Sequence, residues 1–229
     1  MADEVRQRLA VALDIDDLDA ARRTAGALAP WIGVAKVGLE LYGAVGPSAV
    51  TVLRADGFRV FLDAKLHDIP TTVGRASRVL GRLGPAYLNL HAAGGRAMLA
   101  AGVEGMAAGA ADAGVEAPIP IAVTVLTSDP DTSAFDSRLR LAVAAGCRGV
   151  VCSVEELGKV QRQAPGLVTI VPGVRLEGSG ADDQARVGRP GAVAAAGADL
   201  LVVGRTVTAA EHPADAARRL HDEVAAALA

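Results

Sequence analysis

Apolar residues fall along this chain in short, β-branched runs: LAVALD (9–14), VAKVGLEL (34–41), RVFLDAK (59–65), AYLNLHA (86–92), IPIAVTVL (119–126), GVVCS (149–153), VTIVPGV (168–174) and DLLVVG (199–204). Several lack a clean alternation of apolar and polar positions, which is the pattern of parallel strands covered on both faces. Helix-like stretches lie between them. After Asp17, LDAARRTAGALAPWIG reads as an N-capped helix that stops at Pro and Gly. Following Thr71 and Thr72, VGRASRVLGRLG sets Val73, Ala76, Val79, Leu80 and Leu83 at helical spacing and ends at Gly84. In the closing HPADAARRLHDEVAAALA, Ala217, Leu220, Val224 and Leu228 share a face.

Eight strands alternating with helices admit a (β/α)8 TIM barrel or a large doubly wound sheet. The 229 residues come close to the roughly 250 typical of the barrel. No Pro/Gly/Ser-rich linker marks a second unit, and no short-period repeat appears. The expectation is an α/β fold: a single (β/α)8 barrel domain over residues 1–229.

Composition narrows the partners. Apolar residues make up 51% of the chain, enough for a sizeable core, and a net charge of -3 gives no basic excess for nucleic-acid binding. The N-terminal MADEVRQRLAVALDID is acidic and lacks an apolar segment of signal-peptide length. No stretch approaches the roughly 20 apolar residues of a membrane span; AVAAAGADLLVVG is interrupted by Asp199. Cys147 and Cys152 form neither a CxxC pair nor a disulfide framework and read as small core residues. These features lead to the expectation of a soluble cytoplasmic protein with no nucleic-acid or membrane partner.

A barrel demands that functional groups gather at the C-terminal ends of its strands. Asp14 closes the first run and Lys36 lies in the second. Asp63, Lys65 and Asp68 close the third, and Asn89 and His91 the fourth. Thr124, Thr127 and Ser128 follow the fifth, Ser153 the sixth, Arg175 the seventh, and Gly204 with Arg205 the eighth. For Asn89, Thr124 and Ser153 the plainer reading is that polar residues mark where strands meet loops. That reading fails for Lys36 and Lys65, which have apolar neighbours within strands.

The densest chemistry lies in VFLDAKLHDIPTTV (60–73). Asp63 and Lys65 are two apart and on a strand would point the same way. Asp68 falls beyond the strand end, where the chain turns toward Pro70. Flanking carboxylates favour the cationic form of Lys65, making it a proton donor rather than a Schiff-base nucleophile. With Lys36 the four charges cancel, so the array can exist dry as a network; a purely structural ion cluster is the alternative. His67 would orient the turn or face solvent, and His91 reads as a satisfied core or rim histidine. Four scattered histidines without a Cys/His cluster carry no metal signal.

A second stretch, VPGVRLEGSGADDQARVGRPG (171–191), breaks the seventh strand at Pro172–Gly173 and carries Arg175 and Gln184. A phosphate site between the seventh and eighth loops recurs in barrels, and Arg205 could supply a bidentate charge to it. GSGADD alone is neither a P-loop nor a dinucleotide fingerprint, and a solvated loop is the alternative.

Taken together, DAKLHDIPTT (63–72), Asp14 in ALD, Lys36 in AKVG, TVLTS (124–128), PGVR (172–175), DDQAR (182–186) and VGR (203–205) resemble, in order, the orotidine 5′-monophosphate decarboxylase family. The DxKxxD core is shared with sugar-phosphate decarboxylases and synthases of the same superfamily; the PGVR, DQ and GR series separates this family from them. Two positions depart from the pattern: Ala64, where a bulkier apolar residue is common, and Thr206, where many members carry proline.

The resemblance implies conversion of orotidine 5′-monophosphate to uridine 5′-monophosphate, the last step of pyrimidine nucleotide biosynthesis, without a cofactor or metal. It implies a homodimer whose catalytic set is Lys36, Asp63, Lys65 and, from the partner chain, Asp68. Asp14 and Lys36 would hold the ribose, with Thr72 supplied by the partner. Thr127 and Ser128 would lie near the pyrimidine. Arg175, Gln184, Gly204 and Arg205 would hold the phosphate. A metal-dependent sugar-phosphate decarboxylase or synthase is the nearest alternative, and a non-catalytic nucleotide-binding barrel the next.

Overall fold

The apolar runs become eight parallel strands that close on themselves in chain order. They are β1 (Leu9–Ala12), β2 (Val34–Val37), β3 (Arg59–Leu66), β4 (Tyr87–His91), β5 (Ile119–Val123), β6 (Gly149–Val151), β7 (Val168–Val171) and β8 (Leu200–Val203). The computed structural model describes residues 2–176 and 188–229. β8 pairs with β1, Leu201 opposite Leu9, so the sheet has no free edge. This is the (β/α)8 TIM barrel that the alternation predicts.

The runs look continuously apolar because both faces of the sheet are covered. Ala10, Val34, Phe61, Tyr87, Ile121, Ile170 and Leu200 fill the barrel interior, where Phe61 and Tyr87 meet edge to face at 6.1 Å. Leu9, Val11, Ala35, Val60 and Leu62 point outward and join the core beneath the helices. Fully burying a side chain of this size stabilises by about 1.5–3 kcal/mol. The alternation has a consequence for chemistry. Lys36, Asp63 and Asn89 each lie two residues after an interior residue (Val34, Phe61 and Tyr87), so they continue the interior upward to the C-terminal rim.

The helix at Leu18–Leu28 matches its sequence signals: the Asp17 carboxylate accepts from the Ala20 N–H at 2.6 Å, and Ala21, Ala25 and Leu28 are buried. Three expectations shift. The run 34–41 breaks at Gly38, and Leu39–Val45 is a helix that leaves Leu39 63% exposed. A side chain at position 38 would crowd the Asp14 carboxylate and the Lys36 ammonium, so the break makes room for that pair.

The helix after β3 spans Pro70–Gly81, with Pro70 in its first turn and Thr71 and Thr72 inside it. It buries Val73, Ser77 and Leu80 while Val79 stays exposed. The face is rotated because this helix lies against Gly95–Ala113 through small residues: a Cβ at Gly105 or Gly109 would run into the backbone of Gly74 or Arg78. In the closing helix, Pro213–Leu228, Ala217, Leu220 and Val224 are buried but Leu228 is exposed.

Cys147 and Cys152 are both buried, and burial pushes their thiols up to about 12, as expected of inert core residues. Among the described residues, no helix is long and apolar enough to cross a membrane.

Candidate active site

At the C-terminal rim the ends of β1, β2 and β3 bring four charges together. The Lys36 ammonium lies 3.2 Å from an Asp14 oxygen and 3.6 Å from Asp63 Oδ2. The Lys65 ammonium donates to Asp63 Oδ1 at 2.7 Å. Asp63 is therefore held between two cations while almost wholly buried. Burial works to raise its pKa, but the charges of Lys36 and Lys65, with hydrogen bonds from Lys65 and Asn89, outweigh burial. The carboxyl titrates below the usual carboxylate range.

Simple alternation does not account for how Lys65 reaches Asp63. β3 pairs with β4 through Phe61 with Tyr87 and Leu62 with Leu88, and the next rung is Leu66 with Leu90. Two additional residues on β3 are thus accommodated in a bulge. Within it Lys65 adopts φ +46°, the one non-glycine in the left-handed region among the described residues. A long side chain there carries strain of about 1–3 kcal/mol, which persists only where surrounding contacts hold it.

The charges form one wall of a cavity of about 590 Å³ over the barrel mouth. Asp14, Lys36, Asp63, Lys65, Thr127, Arg175, Gly204 and Arg205 all line it, so most of the residues singled out in the sequence meet in one place. The apolar floor comes from Phe61, Val123, Ile170 and Val202. Opposite the lysines, the ends of β7 and β8 supply Arg175 and Arg205. The loop after β7 is gathered at its base, where Val174 bridges Gly188 and the Arg175 N–H donates to the Gly188 carbonyl at 3.0 Å. Thr206, at a position where the family resemblance would place proline, accepts the Leu176 N–H on its hydroxyl at 3.2 Å and ties the two loops together.

Other expected residues lie elsewhere. Asp68 is exposed beyond the strand, its carboxylate accepting the Ile69 N–H at 2.6 Å, with no ion pair among the described residues. Thr72 is exposed on the helix Pro70–Gly81, and Ser128 is exposed outside the cavity wall. Gln184 lies outside the described residues. His67 is exposed and stacks on His91, with ring centroids 5.3 Å apart and planes 14° apart. His91 sits at the rim, its Nδ1 accepting the Ala93 N–H at 3.2 Å. Burial and the nearby charges of His67, Arg138 and Lys65 lower its pKa.

Sequence reasoning passed over Asn89 as a strand-end marker. The structure buries it fully between Asp63 and the Lys65 backbone, with hydrogen bonds to both. Nothing in the sequence set it apart from other strand-end polar residues, because its role depends on how two strands pair. Glu40, at the cavity mouth, was also missed. Thr124 and Ser153 serve the fold. The Thr124 hydroxyl donates to the Val151 carbonyl at 3.3 Å, and Ser153 forms a capping box with Glu156.

Comparison with known proteins joins this geometry to a family. Residues 7–220 match the family described as Orotidine 5′-phosphate decarboxylase / HUMPS. The orotidine 5′-phosphate decarboxylase of Thermobifida fusca is 45% identical over 230 residues, covering 94% of this chain and 95% of that protein. Its counterpart from Heliobacterium modesticaldum is 41% identical over 241 residues and covers 99% of each. The crystal structure of the Lactobacillus acidophilus enzyme of that name aligns with a TM-score of 0.81 at 28% identity, covering 95% of this chain and 99% of the other. With sequence, fold and the order of the strand-end residues in agreement over nearly its whole length, the chain belongs to the orotidine 5′-phosphate decarboxylase / HUMPS family.

Proposed function

We propose that this protein is a carboxy-lyase that converts orotidine 5′-monophosphate to uridine 5′-monophosphate and carbon dioxide through its Asp/Lys charge network, with no cofactor or metal. The observation that carries the reading is a buried, ionised Asp63 bridging two ammonium groups on the wall of a nucleotide-sized cavity that also holds two arginines.

Breaking the bond to the carboxyl group leaves an electron pair on a ring carbon with no conventional sink. Asp63 faces the substrate carboxylate and disfavours it. The Lys65 ammonium stabilises the developing carbanion and delivers its proton to that carbon; solvent then restores the proton to Lys65. One proton is consumed per turnover. Asp14 and Lys36 hold the ribose hydroxyls, and Thr127 borders the pyrimidine from the cavity wall, with Ser128 next to it in the chain. Arg175, Gln184, Gly204 and Arg205 bind the phosphate, a remote grip that lowers the barrier where the interaction strengthens in the transition state. Asp68 and Thr72 complete the site of a partner chain in a cytoplasmic homodimer. Their exposure away from their own cavity supports that part of the reading.

The direct test follows the ultraviolet change on conversion of orotidine monophosphate, with and without a chelator. Undiminished turnover in EDTA is expected; loss restored by a divalent cation would favour the metal-dependent sugar-phosphate chemistry of the superfamily. No turnover of the nucleotide under either condition would sink the reading.

The phosphate assignment makes a separate prediction. Arg205→Ala should raise KM for the nucleotide strongly, about 100-fold if a charge-assisted bidentate contact worth about 3 kcal/mol is lost. The phosphate-free nucleoside should be handled almost as by the unaltered protein, because it offers Arg205 nothing to hold. Equal losses on both substrates would assign Arg205 to the fold or to the base.

A further inference from the structure

We propose that Asn89 is a positioning residue, an amide clamp that holds the Lys65 backbone in its left-handed turn and aims Asp63 at the Lys65 ammonium. The inference rests on the decarboxylase reading for its kinetic arm only.

The bulge in β3 removes a ladder rung. Between the pairs Leu62–Leu88 and Leu66–Leu90, three residues of β3 face the single residue Asn89 of β4. The backbone N–H of Lys65 therefore loses a strand partner beside the buried Asp63 and Asn89, in a part-buried position where an unpaired donor is costly. Asn89 replaces the rung with its side chain: its Oδ1 accepts that N–H at 2.6 Å. Its Nδ2 donates at 2.6 Å to Asp63 Oδ1, the same oxygen that takes the Lys65 ammonium at 2.7 Å.

Chemistry fixes the orientation of the amide. A backbone N–H needs the amide oxygen, and a carboxylate needs the amide nitrogen, so one planar group joins the strained backbone to the buried anion. Few other side chains can do both. Aspartate keeps the acceptor but sets a carboxylate against Asp63. Leucine fills the space and supplies neither bond. Glutamine is a methylene too long for a site with no exposed surface.

The clamp also has an electrostatic role. Its N–H is among the groups holding the Asp63 carboxyl below the usual range against burial. Removing that donor leaves burial less opposed, so Asp63 must protonate at a higher pH. A carboxylate at position 89 pushes further in the same direction, because two adjacent carboxylates share one proton.

The test compares Asn89→Asp and Asn89→Leu with the unaltered protein in two independent readouts. The first is the pH titration of the Asp63 carboxyl carbon, followed by NMR on carbon-13-labelled protein without substrate, with Asp63→Asn to assign the signal. The midpoint should move up in both variants, further in Asn89→Asp. The second is steady-state turnover of orotidine monophosphate. Here kcat should fall by about 100-fold with KM within a few-fold, and the acid limb of kcat should shift to higher pH.

A structural role alone would lower the melting temperature and the active fraction while leaving the Asp63 midpoint and the pH limb in place. That result in either folded variant overturns the proposal. Asn89→Asp retains the acceptor for the Lys65 N–H, so it serves where Asn89→Leu does not fold. If the unaltered protein fails to turn over the nucleotide, the decarboxylase reading falls, and the NMR titration still decides the role of Asn89.

Discussion

Lys65→Ala should fold, bind nucleotide and lose turnover by about 10⁴-fold or more. Two contributions are removed at once: a positioned proton donor, worth about 10²–10⁴, and a charge aimed at the developing carbanion, worth about 10²–10³. Folding should survive because Asp63 keeps Lys36 at 3.6 Å and the Asn89 amide at 2.6 Å, so no buried anion is left alone. Loss of one cation from such a network costs at most a few kcal/mol, which a thermal melt will show.

The melt should also report a change in pH dependence. The depressed Asp63 pKa contributes stability above the unfolded value of about 3.9 and loses it as pH falls through the folded value. Without Lys65 the depression is smaller, so that share of stability, and its loss in acid, should shrink. Activity in Lys65→Ala within about tenfold of the unaltered protein would remove Lys65 from the proton-donor role.

Two inactive variants should restore one another when mixed. Lys65→Ala and Asp68→Ala are each expected to be nearly inactive as homodimers. If Asp68 serves the partner's site, a mixed dimer has one site with both lesions and one with neither, because a two-fold interface exchanges equivalent groups. After random reassortment of equal amounts, half the dimers are mixed and half of their sites intact, so activity should return to about a quarter of the unaltered level. If Asp68 served its own Lys65, every site would carry a lesion and nothing would return. The structure motivates the experiment: Asp68 is exposed beyond β3, caps the Ile69 N–H and pairs with no cation among the described residues. Absence of recovery despite demonstrated subunit exchange would sink the shared site.

How much of this was legible beforehand depended on the kind of signal. Parallel strands buried on both faces leave long apolar runs, so all eight strands stood out, and with them the polar residues at their C-terminal ends. Lys36 and Lys65 were conspicuous because a cation in an apolar strand is rare unless something answers its charge. Register was not legible. Nothing in DAKLHD announces two extra residues opposite Asn89, since a bulge is set by what both strands hydrogen-bond, and periodicity sees one strand at a time. For the same reason an asparagine that substitutes for a missing rung looked like ordinary strand-end polarity.

Helix faces were misjudged where small residues mattered. Val79 has the right spacing to be buried, but Gly74 and Gly81 draw the neighbouring helix to the other side. A hydrophobicity pattern weights large side chains and overlooks the contacts that glycine permits.

The glycine contact also bears on inheritance between subunits. The helix Pro70–Gly81 begins two residues after Asp68 and carries Thr72, the groups proposed to serve the neighbouring site. It meets Gly95–Ala113 almost backbone to backbone, with Gly81, Gly105 and Gly109 leaving no room for a methyl group between them and Gly74 leaving little. Long side chains at such a contact could change rotamer and let the helix drift; main chain against main chain cannot yield in that way. In the proposed dimer, a fault in this packing would leave the faulty chain's own lysines in place and misplace the carboxylate it lends. The damage would fall on the sound subunit's site, while the faulty chain's own site, lent a carboxylate by its sound partner, would keep working, so a mixed dimer would retain one site of two.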